Sequence, residues 1–240
     1  MKLIILTIFL FSTFVCANEN NTDSTFHSYG HFKQMIKSRN ITGKTTIDRL
    51  NLESQGTYVV GALGSATGEI TIFDGKIYLS YGKAGTQNIL NHIPKGESAM
   101  LLAVIKPKKF AKPISIAEDM MDLDFYEWIE DQAKANAIDP KKPFLFILKG
   151  EFKELVWHII NGRNIVPPKV GEKHYLMEKL FVKKKEENGI IFGIYRKGKQ
   201  GVFTHPGDNF HAHGIFSNGL QAGHVDNFDL TKGVILQLAQ

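Results

Sequence analysis

The alternation of apolar and polar residues after residue 56 is the feature that most constrains the fold. A period of two is typical of a β-strand, in which successive side chains point to opposite faces. Asp74-Gly75 is a hairpin signal between two such segments. The segments typical of strands include TYVVGAL, EITIFDG, KIYLSYG, MLLAVIK, FLFILKGEFKELVWHII, GIIFGIYRKG and GVILQLA. The pattern predicts an α/β (α+β-like) fold with two mixed or antiparallel β-sheets and few helices.

Three segments favour helices instead. Residues 27–38 carry apolar side chains at helical spacing, and residues 46–54 are a second short candidate. Ser115-Ile116-Ala117-Glu118 has the form of a capping box, which predicts a helix from there to about Ala137. We expect an N-terminal α/β half over residues 26–143 and a β-rich C-terminal half over residues 144–240.

The first 17 residues have the form of a secretory signal peptide. Lys2 precedes an apolar run over residues 3–15, and Val15-Cys16-Ala17 is a small-residue cleavage site. The run is shorter than the roughly 20 residues that a membrane-spanning helix needs. We therefore expect an exported protein, periplasmic or secreted, with residues 18–25 as a flexible leader and no membrane span. Cys16 is the only cysteine, so a chain cleaved after Ala17 contains no disulfide.

The charge pattern and the motifs exclude several classes of function. The formal net charge is +5, with basic clusters at residues 106–112 and 183–185. No aromatic or glycine motif of a nucleic-acid reader accompanies these clusters, so we interpret them as solvated charges and expect no nucleic-acid partner. The sequence has neither a glycine-rich phosphate loop before a helix nor a Gly-x-Ser-x-Gly elbow, which argues against phosphoryl transfer and serine hydrolysis.

Residues 209–224, NFHAHGIFSNGLQAGH, contain three of the nine histidines. His211 and His213 are two residues apart, so they share a face if the stretch is extended. Asn218-Gly219 is the strongest two-residue hairpin signal, because a type I′ turn needs positive φ at both central residues. With these two residues as the loop, the antiparallel register places His213 opposite His224, with Cβ atoms roughly 4.5–5.5 Å apart.

Three imidazoles on one face of a hairpin suit a metal ion. Imidazole nitrogens bind zinc at about 2.0–2.1 Å, and a three-histidine site leaves coordination positions open, as a catalytic metal requires. Iron, nickel, copper and cobalt accept the same ligands, so other divalent ions stay open beside Zn²⁺. The alternative interpretation is that the three histidines are packed or solvated without a metal.

The spacing His-x-His-x10-His resembles that of the α-acetolactate decarboxylase family. The approach Pro206-Gly207-Asp208-Asn209-Phe210-His211 is similar to the family's Pro-Gly-Tyr-His with two extra residues. The segments GALGSATGEITIFDGKIYLS and ILKGEFKELV are also similar to family segments, in the same order. The resemblance implies a zinc-dependent carbon–carbon lyase that converts 2-acetolactate, a 2-hydroxy-3-oxo acid, into acetoin and CO₂. A homodimer is the assembly that it suggests.

The resemblance also assigns roles to residues. It implies that His211, His213 and His224 bind zinc and that Glu69 is the acid/base carboxylate beside the metal. Loss of CO₂ leaves an electron pair that delocalises into an enediolate, which a Lewis-acidic metal stabilises, and a carboxylic acid then returns a proton to carbon. The alternative for Glu69 is an exposed strand residue opposite a lysine.

Three positions depart from the family pattern. The family's arginine in the strand after the middle helix, which grips the substrate carboxylate, corresponds to His158. Histidine lacks the bidentate, always-charged fork of arginine, so we interpret His158 as a weaker anion contact or a further polar pocket residue. A satisfied interior histidine is the alternative, and Arg163 is a candidate replacement for the arginine. The family's C-terminal glutamate has no counterpart after Asp229, and Ala62 replaces a threonine.

Three functions are consistent with these residues. The first is a decarboxylase that acts on 2-acetolactate or another 2-hydroxy-3-oxo acid. The second is a family-derived periplasmic zinc-binding or ligand-binding protein with altered chemistry, which the loss of the arginine favours. The third is a cupin-type metal site, which also uses His-x-His on a strand but explains neither the Gly68-Glu69 stretch nor the middle helix. We prefer the first.

Overall fold

The computed structural model describes residues 25–83, 86–162 and 178–240. The expected signal peptide, the expected leader up to residue 24, and Arg163 lie outside the described residues. Within them, no helix is long and apolar enough to cross a membrane.

Strands dominate the described part of the chain, with two short α-helices among them. The strands are β1 (Thr25–Tyr29), β2 (Thr45–Thr46), β3 (Tyr58–Leu63), β4 (Glu69–Phe73), β5 (Lys76–Lys83), β6 (Thr86–Leu90), β7 (Ser98–Lys106), β8 (Ile114–Ser115), β9 (Phe144–Ile160), β10 (Lys179–Tyr195), β11 (Phe210–Phe216), β12 (Gln221–Leu230) and β13 (Ile235–Ala239). The helices are α1 (Phe32–Ser38) and α2 (Asp122–Ala135).

The strands form two antiparallel sheets. The first has the order β1-β7-β3-β4-β5-β6, with β2 beside β7, and the second has the order β10-β11-β12-β9-β13-β8. In the second sheet β10 also pairs with β9, so β9, β10, β11 and β12 close into a ring. Two sheets with few helices confirm the predicted fold class. The division of the chain at residues 143 and 144 stays a prediction.

The two sheets pack face to face, and α2 covers the outer face of the second. Tyr58 and Val60 of β3 share an apolar cluster with Ile215 of β11. On the opposite face of β11, Phe210 packs against Phe125 of α2, with ring centroids 6.1 Å apart. Fully burying one such side chain contributes about 1.5–3 kcal/mol. Because both faces of β11 are covered, every residue of this strand is buried, including its histidines.

The predicted Asp74-Gly75 hairpin is confirmed. β4 ends at Phe73 and β5 begins at its partner Lys76, with φ of 52° at Asp74 and 81° at Gly75. Positive φ at both central residues is the backbone that a two-residue hairpin loop needs.

The helix predicted from the capping box at residues 115–118 is wrong in its first part, because α2 begins only at Asp122. The backbone before it is used in the second sheet instead. The amide of Ile116 donates to the carbonyl of Val234, and Met120 exchanges two hydrogen bonds with Leu230. The backbone N–H and C=O groups that would have formed helical hydrogen bonds thus form hydrogen bonds within the sheet instead.

The two earlier helix predictions are right only in part. Residues 27–38 divide into the end of β1 and the seven-residue helix α1, because residues 27–29 pair with β7. Residues 46–54 contain no α-helix: they start at the end of β2 and include a single 3₁₀ turn, Ile47–Arg49. Ile47 is fully buried there in the core of the first sheet.

Replacing Gly75 by alanine should destabilise the protein much more than the same change at Gly96. Both glycines have φ near +80°. A Cβ added at Gly75 would lie 2.7 Å from the carbonyl oxygens of Glu53 and Ser54, whereas a Cβ added at Gly96 would meet no atom within 4 Å. We expect losses in the free energy of unfolding of about 3 kcal/mol for Gly75→Ala and about 1 kcal/mol for Gly96→Ala, measured by urea denaturation. Equal losses would show that the close approach is not rigid.

Candidate metal centre and active site

Three histidines lie side by side across neighbouring strands of the second sheet. His213 of β11 pairs directly with His224 of β12, and His224 pairs with His158 of β9. Directly paired residues on antiparallel strands point to the same face, so we call these three residues the histidine row. The predicted register of His213 and His224 is confirmed, although the loop has four residues, 217–220, rather than two.

Three imidazole nitrogens converge at one end of the row. Nε2 of His211 lies 3.0 Å from Nδ1 of His224 and 3.2 Å from Nε2 of His213. Nitrogens bound tetrahedrally to a zinc ion at about 2.0–2.1 Å lie roughly 3.3–3.4 Å apart, so this spacing fits a bound ion. The three side chains form a group able to hold a metal, as do His158, His224 and Asp226.

The outer nitrogens of two of these rings are held by neighbouring groups. Nδ1 of His211 lies 2.9 Å from the carbonyl oxygen of Phe203, and Nδ1 of His213 lies 2.7 Å from Oγ1 of Thr71. A carbonyl only accepts, so Nδ1 of His211 carries the proton and Nε2 turns a lone pair to the centre. Partners of this kind fix the tautomer and orientation of metal-binding histidines.

Burial keeps the three imidazoles neutral. It lowers the pKa of His211 to about 3 and holds the pKa values of His213 and His224 well below the ordinary value. The neutral ring is the form that binds a metal. The donor set, its spacing and its protonation therefore all fit a zinc ion held by His211, His213 and His224.

Glu69 reaches the centre from the other sheet. It begins β4 and is only 3% exposed, which contradicts the alternative of an exposed strand residue. Its Oε1 accepts a hydrogen bond of 3.0 Å from the amide of Ile160, and its Oε2 lies 3.8 Å from Nε2 of His213. Burial raises the pKa of Glu69 to about 8, against the lowering effects of the Ile160 amide and the Lys179 ammonium. The raised pKa favours the protonated form of this carboxyl group near neutral pH.

His158 completes the row beside Glu69. Its Nδ1 lies 2.6 Å from Oδ2 of Asp226, and its Nε2 lies 3.8 Å from Oε1 of Glu69. Burial lowers the pKa of His158, with the Asp226 carboxylate opposing the shift. The neutral ring then donates its Nδ1 proton to Asp226 and presents a lone pair at Nε2. A lone pair repels a carboxylate, so this tautomer suits the polar-residue interpretation better than the anion contact.

A cavity of about 260 Å³ opens onto these groups. Its apolar wall includes Phe32, Met35, Met100 and Leu101 from the N-terminal part of the chain. Its polar wall contains Glu69, His158, Lys179, His205, His211, His224 and Asp226. His213 lies behind this wall and is fully buried. The cavity thus has one apolar side and one side crowded with imidazoles and carboxyl groups.

Sequence reasoning missed Thr71, Asp226, Lys179 and His205. Thr71 follows Glu69 by two residues and Asp226 follows His224 by two, so strand spacing offered a signal for both. His205 lies in the loop before β11, with its ring centroid 5.1 Å from that of His224, and burial lowers its pKa to about 4. No local pattern marks Lys179 or His205 as part of this cavity.

The fold and the site define a class: two packed antiparallel sheets with a buried three-histidine centre and one acidic side chain between them. The sequence profile of alpha-acetolactate decarboxylase matches residues 26–240. The chain belongs to the α-acetolactate decarboxylase family, whose members are carboxy-lyases. This assignment, unlike the cupin-type alternative, accounts for the Gly68-Glu69 stretch and for the middle helix α2. No curated protein sequence matches the chain significantly.

Solved structures share the fold. A Staphylococcus aureus protein of unknown function, described as similar to alpha-acetolactate decarboxylase, is 19% identical with a TM-score of 0.69, over 89% of this chain and 84% of that chain. The alpha-acetolactate decarboxylase of Bacillus subtilis strain 168 is 15% identical with a TM-score of 0.70, over 90% and 85% of the two chains. The enzyme of Bacillus subtilis subspecies spizizenii gives a TM-score of 0.71 at 15% identity, over the same shares.

Replacing Thr71 by valine should weaken metal binding without removing a ligand. The change deletes the hydroxyl that holds Nδ1 of His213. We expect zinc affinity, measured by competition with a chromophoric chelator, to fall by about 10–100-fold. Thr67→Val is the matched control, because the Thr67 hydroxyl donates to the nearby Gly64 carbonyl rather than to a histidine. Unchanged affinity in Thr71→Val would contradict the role of this contact.

Proposed function

We propose that this protein is an exported, zinc-dependent enzyme that converts 2-acetolactate into acetoin and CO₂. The observation that carries the proposal is the meeting of three histidine nitrogens and one buried carboxyl group at a single cavity. Membership of the α-acetolactate decarboxylase family supports the reaction class.

His211, His213 and His224 are the residues that would hold the zinc ion. When bound, the ion supplies Lewis acidity, which stabilises negative charge that develops on the oxygens of the substrate. The protein's own contribution is to fix the three rings on paired strands. Thr71 and the Phe203 carbonyl hold two of the rings from behind.

Glu69 is the proton donor in this mechanism. The Ile160 amide occupies Oε1, so the acidic proton lies on Oε2, the oxygen that is nearer to His213. The bond between the substrate's carboxylate carbon and its neighbour breaks, CO₂ leaves, and the bonding electron pair stays on the organic product. Glu69 then transfers its proton to carbon and regains one from water, as a general acid does.

His158 is assigned to the hydroxyl group of the substrate. Asp226 holds its Nδ1 proton, so Nε2 can accept a hydrogen bond from a bound hydroxyl. The apolar wall formed by Phe32, Met35, Met100 and Leu101 takes the alkyl groups and limits the entry of water. A site with little water strengthens every charged contact within it.

A second candidate is a zinc-binding relative that does not turn over 2-acetolactate. The specific observation in its favour is that His158 stands where the family resemblance places an arginine. This candidate predicts stoichiometric zinc binding without acetoin formation, so one assay separates it from the enzyme.

Glu69→Gln should abolish acetoin formation while it preserves the fold and the bound metal. The amide cannot donate a proton as an acid, but it has the shape of the buried neutral carboxyl group and can still accept from Ile160. We expect kcat to fall by at least about 10²-fold in an assay with racemic 2-acetolactate and zinc-loaded protein.

Glu154→Gln is the control for this test, because Glu154 forms a surface ion pair with Lys185. It should leave kcat unchanged. Full activity in Glu69→Gln would remove the proposed acid. No acetoin from the zinc-loaded natural sequence would favour the second candidate.

Export should leave a mature chain that begins at Asn18. The support is the apolar run and the small-residue site that ends at Ala17. Intact-mass measurement of protein from the periplasm or medium of an expressing bacterium should give the mass of residues 18–240. Recovery from the cytoplasm with residues 1–17 retained would contradict export.

A further inference from the structure

A buried cation in the cavity wall has no role in the mechanism above. Lys179 begins β10 and pairs directly with Ile160, the residue whose amide holds Glu69. Its side chain is only 6% exposed. Among the described residues that line the cavity it is the only lysine or arginine. The carboxyl groups in the same wall belong to Glu69, Asp122, Asp208 and Asp226.

We propose that Lys179 binds the carboxylate of the incoming substrate and so selects acid anions over neutral hydroxyketones. This inference rests on the proposed function, since it names the group that recognises the substrate of the same site. Lysine offers three donors on a single compact charge, which suffices for one carboxylate oxygen at a time.

The position of Lys179 gives the cavity two separate poles. Nζ of Lys179 lies 3.9 Å from Oδ1 of Asp226, whose other oxygen is 2.6 Å from Nδ1 of His158. The cation therefore stands at the His158 end of the histidine row, while the converging nitrogens of His211 and His213 lie at the other end. Glu69 lies between the poles, 3.8 Å from a nitrogen of His158 and 3.8 Å from one of His213.

A 2-hydroxy-3-oxo acid matches these two poles. Its ketone oxygen suits the metal-binding end, its hydroxyl lies on the next carbon, towards Nε2 of His158, and its carboxylate, on that same carbon, extends to Lys179. With the carboxylate at Lys179, the carbon that loses CO₂ lies beside Glu69, the group that returns the proton. The positive charge of the ammonium also reaches Glu69, His158 and His205. In each case it contributes a lowering of the pKa, which at Glu69 opposes the larger effect of burial.

The reaction itself predicts how the loss of Lys179 would appear in kinetics. The carboxylate carries its full negative charge in the bound substrate and loses that charge as it leaves as CO₂. A cation at this group therefore stabilises the bound substrate more than the transition state. Removing it should raise KM and leave kcat unchanged or slightly higher. A residue with only a structural role would instead lower kcat or the amount of folded protein.

The first test compares Lys179→Met, Lys179→Arg and Lys185→Met in the metal-loaded protein. Methionine keeps most of the length of the side chain without its charge, and Lys185 is an exposed lysine on the same strand. For Lys179→Met we expect KM for 2-acetolactate to rise roughly 10–100-fold, the range for a hydrogen bond to a charged group, with kcat within about threefold. Lys179→Arg should recover most of the loss, and Lys185→Met should behave as the natural sequence. A lower kcat with unchanged KM would overturn the proposal.

The second test measures binding alone and does not depend on turnover. Calorimetric titration of the metal-loaded protein with 2-hydroxyisobutyrate, an unreactive acid anion, is compared with titration of its neutral amide. Lys179→Met should weaken binding of the anion at least tenfold and leave binding of the amide unchanged. Equal effects on both ligands, or no preference of the natural sequence for the anion, would overturn the proposal. If 2-acetolactate is not turned over but the anion preference depends on Lys179, the proposed function fails and this inference stands.

Discussion

The hydrogen bond from the Ile160 amide to the carboxyl group of Glu69 joins the two sheets at the proposed active site. Glu69 belongs to the first sheet and Ile160 to the second, so the contact sets the acid against the histidine row. Thr71, two residues further along the same face of β4, makes a second contact between the sheets at His213. The site therefore depends on how the sheets pack, and neither sheet contains it alone.

The arrangement concentrates buried polar groups where most of the interior is apolar. Among the buried polar side chains of the described residues, Glu69, Thr71, His158, His211, His213 and His224 all lie at this seam. A buried polar group left without a partner costs about 1–3 kcal/mol, so each of these contacts is needed for stability as well as orientation. A metal that binds only the folded chain offsets part of that cost by mass action. Paired strands also hold ligands more rigidly than loops would.

One departure from the family pattern, His158, belongs to a connected set of polar groups. His158 stands where the resemblance places an arginine, and it is bound to Asp226, which lies beside Lys179. The fixed charge that an arginine would supply is absent at position 158, while an ammonium group stands next to that position on the neighbouring strand. Beside position 158 this chain thus presents a carboxylate–imidazole pair and a separate cation. The cavity therefore keeps a positive charge, but the Lys179 ammonium lacks the bidentate geometry of a guanidinium.

Local sequence determined the parts of this protein that depend on strand period and turn chemistry. The alternating pattern and Asn218-Gly219 were sufficient to place His213 opposite His224, because hairpin register follows from the turn, and the family resemblance pointed to Glu69. The capping box at residues 115–118 gave a wrong helix start. Ile116 and Met120 form backbone hydrogen bonds with distant residues instead of with residues of a helix. Only the tertiary structure decided that Lys179 and Asp226 lie 3.9 Å apart and that Ile160 meets Glu69. These pairs are separated by dozens of residues, and packing between and within the sheets, which no local pattern encodes, brings them together.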